Sequence, residues 1–532
     1  MDSQGFRDAA ATAIDDSEFR YSLKSLLLSS TSGNFTNTNT VASYYDNLDD
    51  RNVVSTVEPG YLRKLLPSEA PVEGEAWTDI HKDIEGKILP GITHWQHPGF
   101  HAFFPCATSF PSILGELYSA ALSGACFNWI CSPAVTELET IVLDWLAKVL
   151  GLPECYLSTG PTRGGGVIQG SASEAVLTAM VAARDKYLRE TVPLEQFPEG
   201  SEAREDAIAH KRSKMVALAT TATHSSTKKA SIILGVRFHT IAVHADTGYS
   251  LTGPVLAKTL AELRARGLEP FFMTATMGTT DTCAVDDFAG IVSTLKSDPV
   301  HPAGTPGELW VHIDAAYAGS ALVLPSVREQ VSISLIENFH SFDMNMHKWL
   351  LTNFDASCLF VRDRNWFIQA LTINQAVYGN KASEGGLVTD YREWQIPLGR
   401  RFRSLKIWFV LRNYGVKGLQ SYISRTLKLG EEFADSLKSR PDLFEILTGP
   451  NFALTVFRVA GKEQGKSDEE LNALTKAVCE KINASGRMWV TSTVLDGRFA
   501  IRMVTSVSTT EKEHVDRAWK ILVEAAEEVV KA

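Results

Sequence analysis

Residues 310–317 read Trp-Val-His-Ile-Asp-Ala-Ala-Tyr, and residues 343–349 read Asp-Met-Asn-Met-His-Lys-Trp. The first stretch alternates apolar and polar side chains and stops on a carboxylate followed by two alanines, the pattern of a short strand whose carboxyl end leaves flat space over an acid. The second places Lys348 34 residues after Asp314 and runs into another apolar stretch at 356–361. Working outward, apolar runs at 215–221, 238–243 and 271–277 alternate with helical stretches. Such alternation belongs to a mostly parallel sheet with helical crossovers, so an α/β fold is expected. From residue 452 the order changes to strand (452–459), helix (468–482), two strands (488–494 and 499–505) and a closing helix opened by Thr510 with Glu513 as a capping box, which reads as a smaller α+β region. Between 132 and 153, Ser132 as N-cap, Pro133, apolar Val135, Leu138, Val142, Trp145 and Val149, then Gly151 and Pro153, mark a helix at both ends.

Composition narrows the function classes. The 532 residues amount to about three to four domains' worth of chain. With 52 Lys+Arg against 62 Asp+Glu the formal net charge is −10, and no basic tract offsets it, which argues against nucleic acid as a main partner. No apolar run reaches the ~18 residues of a membrane span, and Asp2, Asp8, Asp15 and Asp16 stand where a signal peptide would be basic and then apolar. The seven cysteines are scattered and odd in number, without a Cys-x-x-Cys pair, which points to reduced thiols, a cytoplasmic location and no structural zinc. Residues 22–43 are rich in Ser, Thr and Asn without lasting period and read as a flexible insert.

In open α/β sheets ligands bind at the carboxyl ends of strands, so the polar residues after each apolar run carry the information. Gly164-Gly165-Gly166-Val-Ile-Gln-Gly-Ser171-Ala172-Ser173 leads into an apolar helix, whose free N–H groups and positive dipole end suit a phosphate; a plain N-cap is the simpler reading. A P-loop is excluded because no Lys follows Gly170-Ser171. His224-Ser-Ser follows 215–221, and a single His there is more often structural than catalytic. Gly278-Thr279-Thr280 follows 271–277, with Asp286 and Asp287 as candidate helix caps. Asp314 alone is equally readable as a cap, and Lys348 alone as a snorkelling surface lysine. Desolvated, though, that lysine is a nucleophilic amine able to form a Schiff base. Together an anion site, a ring-stacking His, a strand-end acid and a lysine match what pyridoxal phosphate requires: anchorage for its phosphate, support for its ring, a carboxylate for its pyridine nitrogen and an amine for its aldehyde.

Residues 167–175 (Val-Ile-Gln-Gly-Ser-Ala-Ser-Glu-Ala), Ala-Thr-His224-Ser-Ser, the Phe-Phe-Met-Thr-Ala-Thr-Met-Gly-Thr-Thr280 run, His-Ile-Asp314-Ala-Ala-Tyr-Ala-Gly-Ser320, His347-Lys348-Trp-Leu-Leu and Trp394-Gln-Ile-Pro-Leu-Gly-Arg-Arg-Phe-Arg-Ser-Leu-Lys406 resemble the aromatic L-amino acid decarboxylases, group II of the pyridoxal-phosphate decarboxylases. The resemblance extends from about residue 44 to 525. It implies a type I aminotransferase-like fold with a mostly parallel seven-stranded sheet and an obligate homodimer with shared active sites. The expected regions are an N-terminal helical dimerisation arm at 1–110 with an insert at 16–42, a large cofactor domain at 111–405 and a small α+β domain at 406–532.

By position, Lys348 resembles the Schiff-base lysine, Asp314 the partner of the pyridine nitrogen, His224 the residue stacked on the ring and Ala316 its opposite face. Ser171, Ala172, Ser173 and Asn345 match phosphate-binding positions, while Thr280 and His347 line the reaction centre. Trp95, Phe103, Phe104 and Pro105 resemble the substrate pocket, joined by Cys106 and by Phe127 from the other subunit. Tyr378, within 372–387, resembles the proton donor of a mobile catalytic loop, and relatives with Phe there release aldehyde by oxidative deamination. The tyrosine therefore implies simple decarboxylation. Aromatic walls suit an aromatic side chain, and Gly399, where plant relatives carry Gly for indolic and Ser for phenolic substrates, leans toward tryptophan or 5-hydroxytryptophan over DOPA, tyrosine or phenylalanine. Met346 and Cys106 depart from the usual Pro and Thr. The competing readings are an aldehyde synthase, a histidine or tyrosine decarboxylase, and an inactive dimeric scaffold. No metal site is expected, since no His/Cys/carboxylate set has ligand spacing.

Overall fold

Seven short strands, five of them buried at every position, make the central layer of one unit: β1 (Gly165–Gln169), β2 (Met215–Thr220), β3 (Arg237–Ile241), β4 (Glu269–Thr276), β5 (Trp310–Asp314), β6 (Ser341–Asn345) and β7 (Ser357–Val361). Strands this uniformly buried need both faces covered, as in a parallel sheet wrapped by helices. The spatial order is β1-β7-β6-β5-β4-β2-β3, and β7 alone runs antiparallel to its neighbours. The computed structural model describes residues 43–373, 388–461 and 465–531. Their contacts divide into two units, one spanning 107–425 and one combining 43–106 with 426–531.

Four helices of the first unit bear on the site: α1 (Phe110–Ala121), α2 (Pro133–Leu150), α3 (Ala172–Thr191) and α4 (Ser226–Leu234). Helix α2 has the expected bounds and ends on Gly151 at φ 69°, a left-handed position that glycine takes without a Cβ clash. Ser132 stands at its N-cap but its side chain makes no capping bond, contrary to the expectation. Helix α3 does carry a side-chain cap, with Ser171 Oγ accepting from Glu174 N. It packs on one face of the sheet, where Val176, Ala179, Met180 and Ala183 meet Val167, Phe272, Trp310, Leu359 and Val361. Side chains alternate along strands, so Trp310, His312 and Asp314 share that face with Ser341, Asp343 and Asn345. Across the carboxyl edge, Thr276, Asp314 and Asp343 are successive register partners.

Strand β1 occupies the glycine-rich lead-in to α3, which was not among the expected strands, and the polar Asp-Met-Asn of β6 hid a buried strand. In the second unit, β8 (Phe444–Asn451), β9 (Leu454–Val459), β10 (Thr491–Leu495) and β11 (Arg498–Val504) form a four-stranded antiparallel sheet in the order β10-β11-β9-β8. Strand β8 escaped the sequence reading because its Thr-Gly-Pro-Asn end reads as a turn. Helices Asp468–Ala484 and Lys512–Lys531 cover this sheet around Phe433, Phe457, Val478, Ile501 and Leu522. The first opens with a full capping box between Ser467 and Glu470.

Of the two candidate caps, Asp287 does cap its helix by accepting from Gly290 N. Asp286 instead bridges two segments. Its two oxygens accept from Leu251 N and Thr276 N, both at 2.7 Å, tying the end of β4 to the loop before residue 253. Burial pushes its carboxyl up to about 7, the two backbone bonds opposing it. Asp286→Ala leaves two buried N–H donors unpaired and is expected to cost about 2–4 kcal/mol, read as a lower urea midpoint; a midpoint equal to that of the parent would show that the carboxyl secures neither segment.

Candidate functional site

The carboxyl edge of the sheet gathers the chemistry of the first unit. Asp314 ends β5 at 5% exposure, and its Oδ1 accepts from Ala316 N at 3.0 Å, which turns the chain away through the two alanines. The next strands are laced to this turn: Met277 N donates to Asp314 O, Ala315 N to Asp343 O and Asn345 N to Ala316 O, all within 2.9–3.0 Å. Gly278, at φ 90°, follows β4 where a Cβ would meet Ala318 Cβ at 2.5 Å, so only glycine fits between β4 and the Ala318 turn. Thr279 Oγ1 then accepts from Ala284 N and holds the loop bearing the half-buried Thr280.

Lys348 is half-buried in the turn Met346–Trp349 that follows β6 directly. Trp349 stacks on Tyr317 at 4.7 Å, and His347 is pinned twice, its carbonyl accepting from Ala107 N and its Nδ1 from Ala356 N at 2.9 Å. A neutral His347 therefore carries its proton on Nε2. Burial first, and the Lys348 ammonium next, lower its pKa to about 4.

His224 follows β2 through a turn held by Thr220 and Thr223, and its Nδ1 accepts from Ser226 N at the start of α4. The residue is exposed. Partial burial lowers its pKa, the Asp314 carboxylate pulls the other way and Lys348 adds to the depression. The same two charges act on Asp343. Lys348, Asp314 and His224, drawn from three separate segments, thus lie within electrostatic reach of one another.

At the adjoining edge Ser171 and Ser173 sit half-buried at the start of α3, with Gly170 N donating to Glu174 Oε2 at 2.9 Å. Asn345 is 3% exposed, and its amide oxygen has no hydrogen-bond partner among the described residues. Phe127 O accepts from Arg392 N, Ala125 O from Arg400 N, and Asp390 Oδ1 from Trp129 N, so segment 125–129 binds the chain that carries Gly399. An added Cβ at Gly399 would meet nothing within 4 Å. Tyr378 lies outside the described residues, as do the insert at 16–42 and the stretch before it.

The second unit contains the other aromatic residues singled out in the sequence. Trp95 stacks on Phe103 with centroids 5.8 Å apart, Trp489 meets Phe103 edge-on at 5.2 Å, and Arg502 lies over the Phe104 ring. Phe103 is 45% exposed at φ 52°, whereas Phe104 and Pro105 are buried and Cys106 is half-buried. Sequence reasoning gave no role to His312 or Asp343 and only a helix-capping role to Asp286; the alternation of Trp-Val-His-Ile-Asp already placed His312 on the face of Asp314, which was the available signal for it.

The model of the family described as pyridoxal-dependent decarboxylase conserved domain matches residues 59–460. Tryptophan decarboxylase 2 of Oryza sativa subsp. japonica is 42% identical, covering 92% of this chain and 93% of the relative. Aromatic-L-amino-acid decarboxylase of Rattus norvegicus is 41% identical over 92% and 96%, and phenylacetaldehyde synthase of Arabidopsis thaliana 42% identical over 91% and 93%. Among solved structures, Oryza sativa TDC with PLP and tryptamine superposes with a TM-score of 0.85 at 33% identity, covering 97% of this chain and 98% of that one.

The depressed His347 is open to direct measurement. Its imidazole is expected to stay neutral through pH 5 and to titrate near 4 by NMR of the apoprotein, with the Nε2–H tautomer. Between about pH 6.5 and 4 the unfolded chain then binds a proton that the folded chain refuses, so this residue lowers stability as pH falls through that window. Titration at the ordinary histidine value would contradict the geometry.

Proposed function

The chain belongs to the pyridoxal-dependent decarboxylase family, as a carboxy-lyase whose cofactor is pyridoxal phosphate, and from that premise we propose that it converts an aromatic L-amino acid to the arylalkylamine and CO2, with tryptophan or 5-hydroxytryptophan preferred and DOPA, tyrosine and phenylalanine as further candidates. The observation that carries this reading is the electrostatic grouping of Lys348, Asp314 and His224 at the carboxyl edge of the sheet.

The residues present suit the cofactor. An amine, a carboxylate and an imidazole act on one another, Ala316 offers a flat face, and the buried amide of Asn345 has an oxygen left unpartnered. Lys348 would hold the aldehyde, Asp314 the ring nitrogen, His224 and Ala316 the two ring faces, and Ser171, Ala172, Ser173 and Asn345 the phosphate, with Thr280 and His347 at the reaction centre. When bound, the cofactor supplies an electron sink for the pair left by departing CO2. Asp314 keeps negative charge beside the ring nitrogen and so favours a proton there. Tyr378 is assigned delivery of the proton to the substrate α-carbon.

Trp95, Phe103, Phe104, Pro105 and Cys106, with Phe127 of a second copy, are assigned the side-chain pocket. Their stacked and edge-on rings offer an apolar, planar surface of the kind an aromatic side chain fills. The second copy is supported by the exposed apolar residues Leu117, Tyr118, Leu122, Ile130, Ile141 and Trp145 on and between α1 and α2, each at least 36% exposed. A cytoplasmic location accords with seven cysteines, none of them in a disulfide. An aldehyde synthase is the second reading, since the phenylacetaldehyde synthase relative is as similar in identity as the decarboxylases.

Product analysis separates the readings. Incubation with tryptophan, 5-hydroxytryptophan, tyrosine, DOPA, phenylalanine and histidine should give amine without aldehyde or peroxide, fastest from the indolic acids. Tyr378→Phe should lose amine and gain aldehyde and peroxide, while Gly399→Ser, which the open space around Gly399 accommodates, should shift preference toward phenolic acids. Aldehyde from the parent, or unchanged amine yield from Tyr378→Phe, would overturn the assignment.

A further inference from the structure

Beneath Asp314 runs a chain of buried polar groups that the reaction as described leaves without a role. Trp310 Nε1 donates to Ser341 Oγ at 2.9 Å, Ser341 Oγ lies 2.9 Å from His312 Nδ1, and His312 Nε2 lies 2.9 Å from Asp343 Oδ1. Because the indole can only donate, Ser341 accepts from it and has its own proton for His312 Nδ1; His312 then carries its proton on Nε2 and gives it to Asp343. The chain has one direction and ends on a carboxylate. The other oxygen of that carboxylate, Oδ2, has no hydrogen-bond partner among the described residues, although Asp343 has no exposure to solvent. Buried polar atoms left in that state are uncommon and ask for an explanation. The neighbour across the ladder is Asp314, its register partner on the same sheet face.

We propose that Asp343, oriented by His312, is a positioning residue whose charge acts through the sheet on a ring nitrogen seated against Asp314, so that this nitrogen keeps its proton to a higher pH than Asp314 alone would secure. This rests on the reading that Asp314 receives the ring nitrogen. A negative charge one strand away is poorly screened when both groups are buried, and it favours any proton shared between Asp314 and its ligand. Among the described residues, Lys348 is the cation that acts on it. Strand β5 presents His312 and Asp314, β7 brings the Cys358 thiol within electrostatic reach, and the turn after β6 brings Lys348. Helix α3 carries Glu174, bonded to Gly170 N, and Lys186, paired with Glu190 and Glu308; the stretch Ala318–Val323 has no titratable group. Burial and the Asp314 charge push Asp343 up to about 6, with the His312 bond opposing them. The carboxyl is therefore charged at neutral pH and gains its proton in mild acid.

The test loads the full chain with ring-15N pyridoxal phosphate and follows the ring nitrogen shift against pH, with the cofactor dissociation constant measured alongside. Asp343→Asn should lower the pH at which the ring nitrogen loses its proton by about one unit, a tenfold fall in proton affinity. His312→Phe, which keeps an aromatic ring on Phe272 but leaves Asp343 without its donor, should move it in the same direction. An unchanged midpoint in the variants would overturn the proposal. Asp314→Asn separates the two levels: if it leaves the ring nitrogen protonated as before, the site reading fails, whereas if it strips that proton while Asp343→Asn changes nothing, only the role of Asp343 fails.

Discussion

A carboxylate held at the end of a parallel strand with almost no access to water is costly unless a cationic partner is supplied. Asp314 is in that position, and much of the first unit serves to keep it there. Flanking strands supply its register partners, Ala315 and Ala316 carry the chain away without crowding it, and Ala316 N takes one of its oxygens. Lys348 arrives on the turn after β6, and its charge acts on His224 and Asp343 together with that of Asp314.

The sheet makes this placement reproducible. Five strands buried at every position fix their register by packing, so residues at their carboxyl ends inherit the precision of the core. Gly278 and Asp286 secure the loop after β4, and the Trp349–Tyr317 stack braces the lysine-bearing turn against the segment following Asp314.

Much of this was legible in the sequence because it depends on local pattern. The alternation in Trp-Val-His-Ile-Asp gave β5 at its observed bounds, and Pro133 and Gly151 bracketed α2. What escaped depends on tertiary context. Strand β1 hides among three glycines, because a strand enclosed by α2 and β7 needs small residues where Phe360 and Leu143 approach Gly166. Strand β6 is polar in sequence, and its buried Asp343 finds a partner in His312, which only the fold brings beside it. Asp286 looked like a helix cap beside Asp287, and only the fold shows that it reaches Leu251 and Thr276 instead. The grouping of Lys348, Asp314 and His224 could be suspected from spacing, but no single junction distinguished it from a cap, a snorkelling lysine and a structural histidine.

The most direct test of the account is to identify the amine that holds the cofactor. The purified holoprotein should be yellow, borohydride should bleach its visible band, and peptide mapping should then find a single pyridoxyl-modified residue, Lys348. A colourless protein that remains unlabelled after loading with pyridoxal phosphate, or a label on any other lysine, would contradict it.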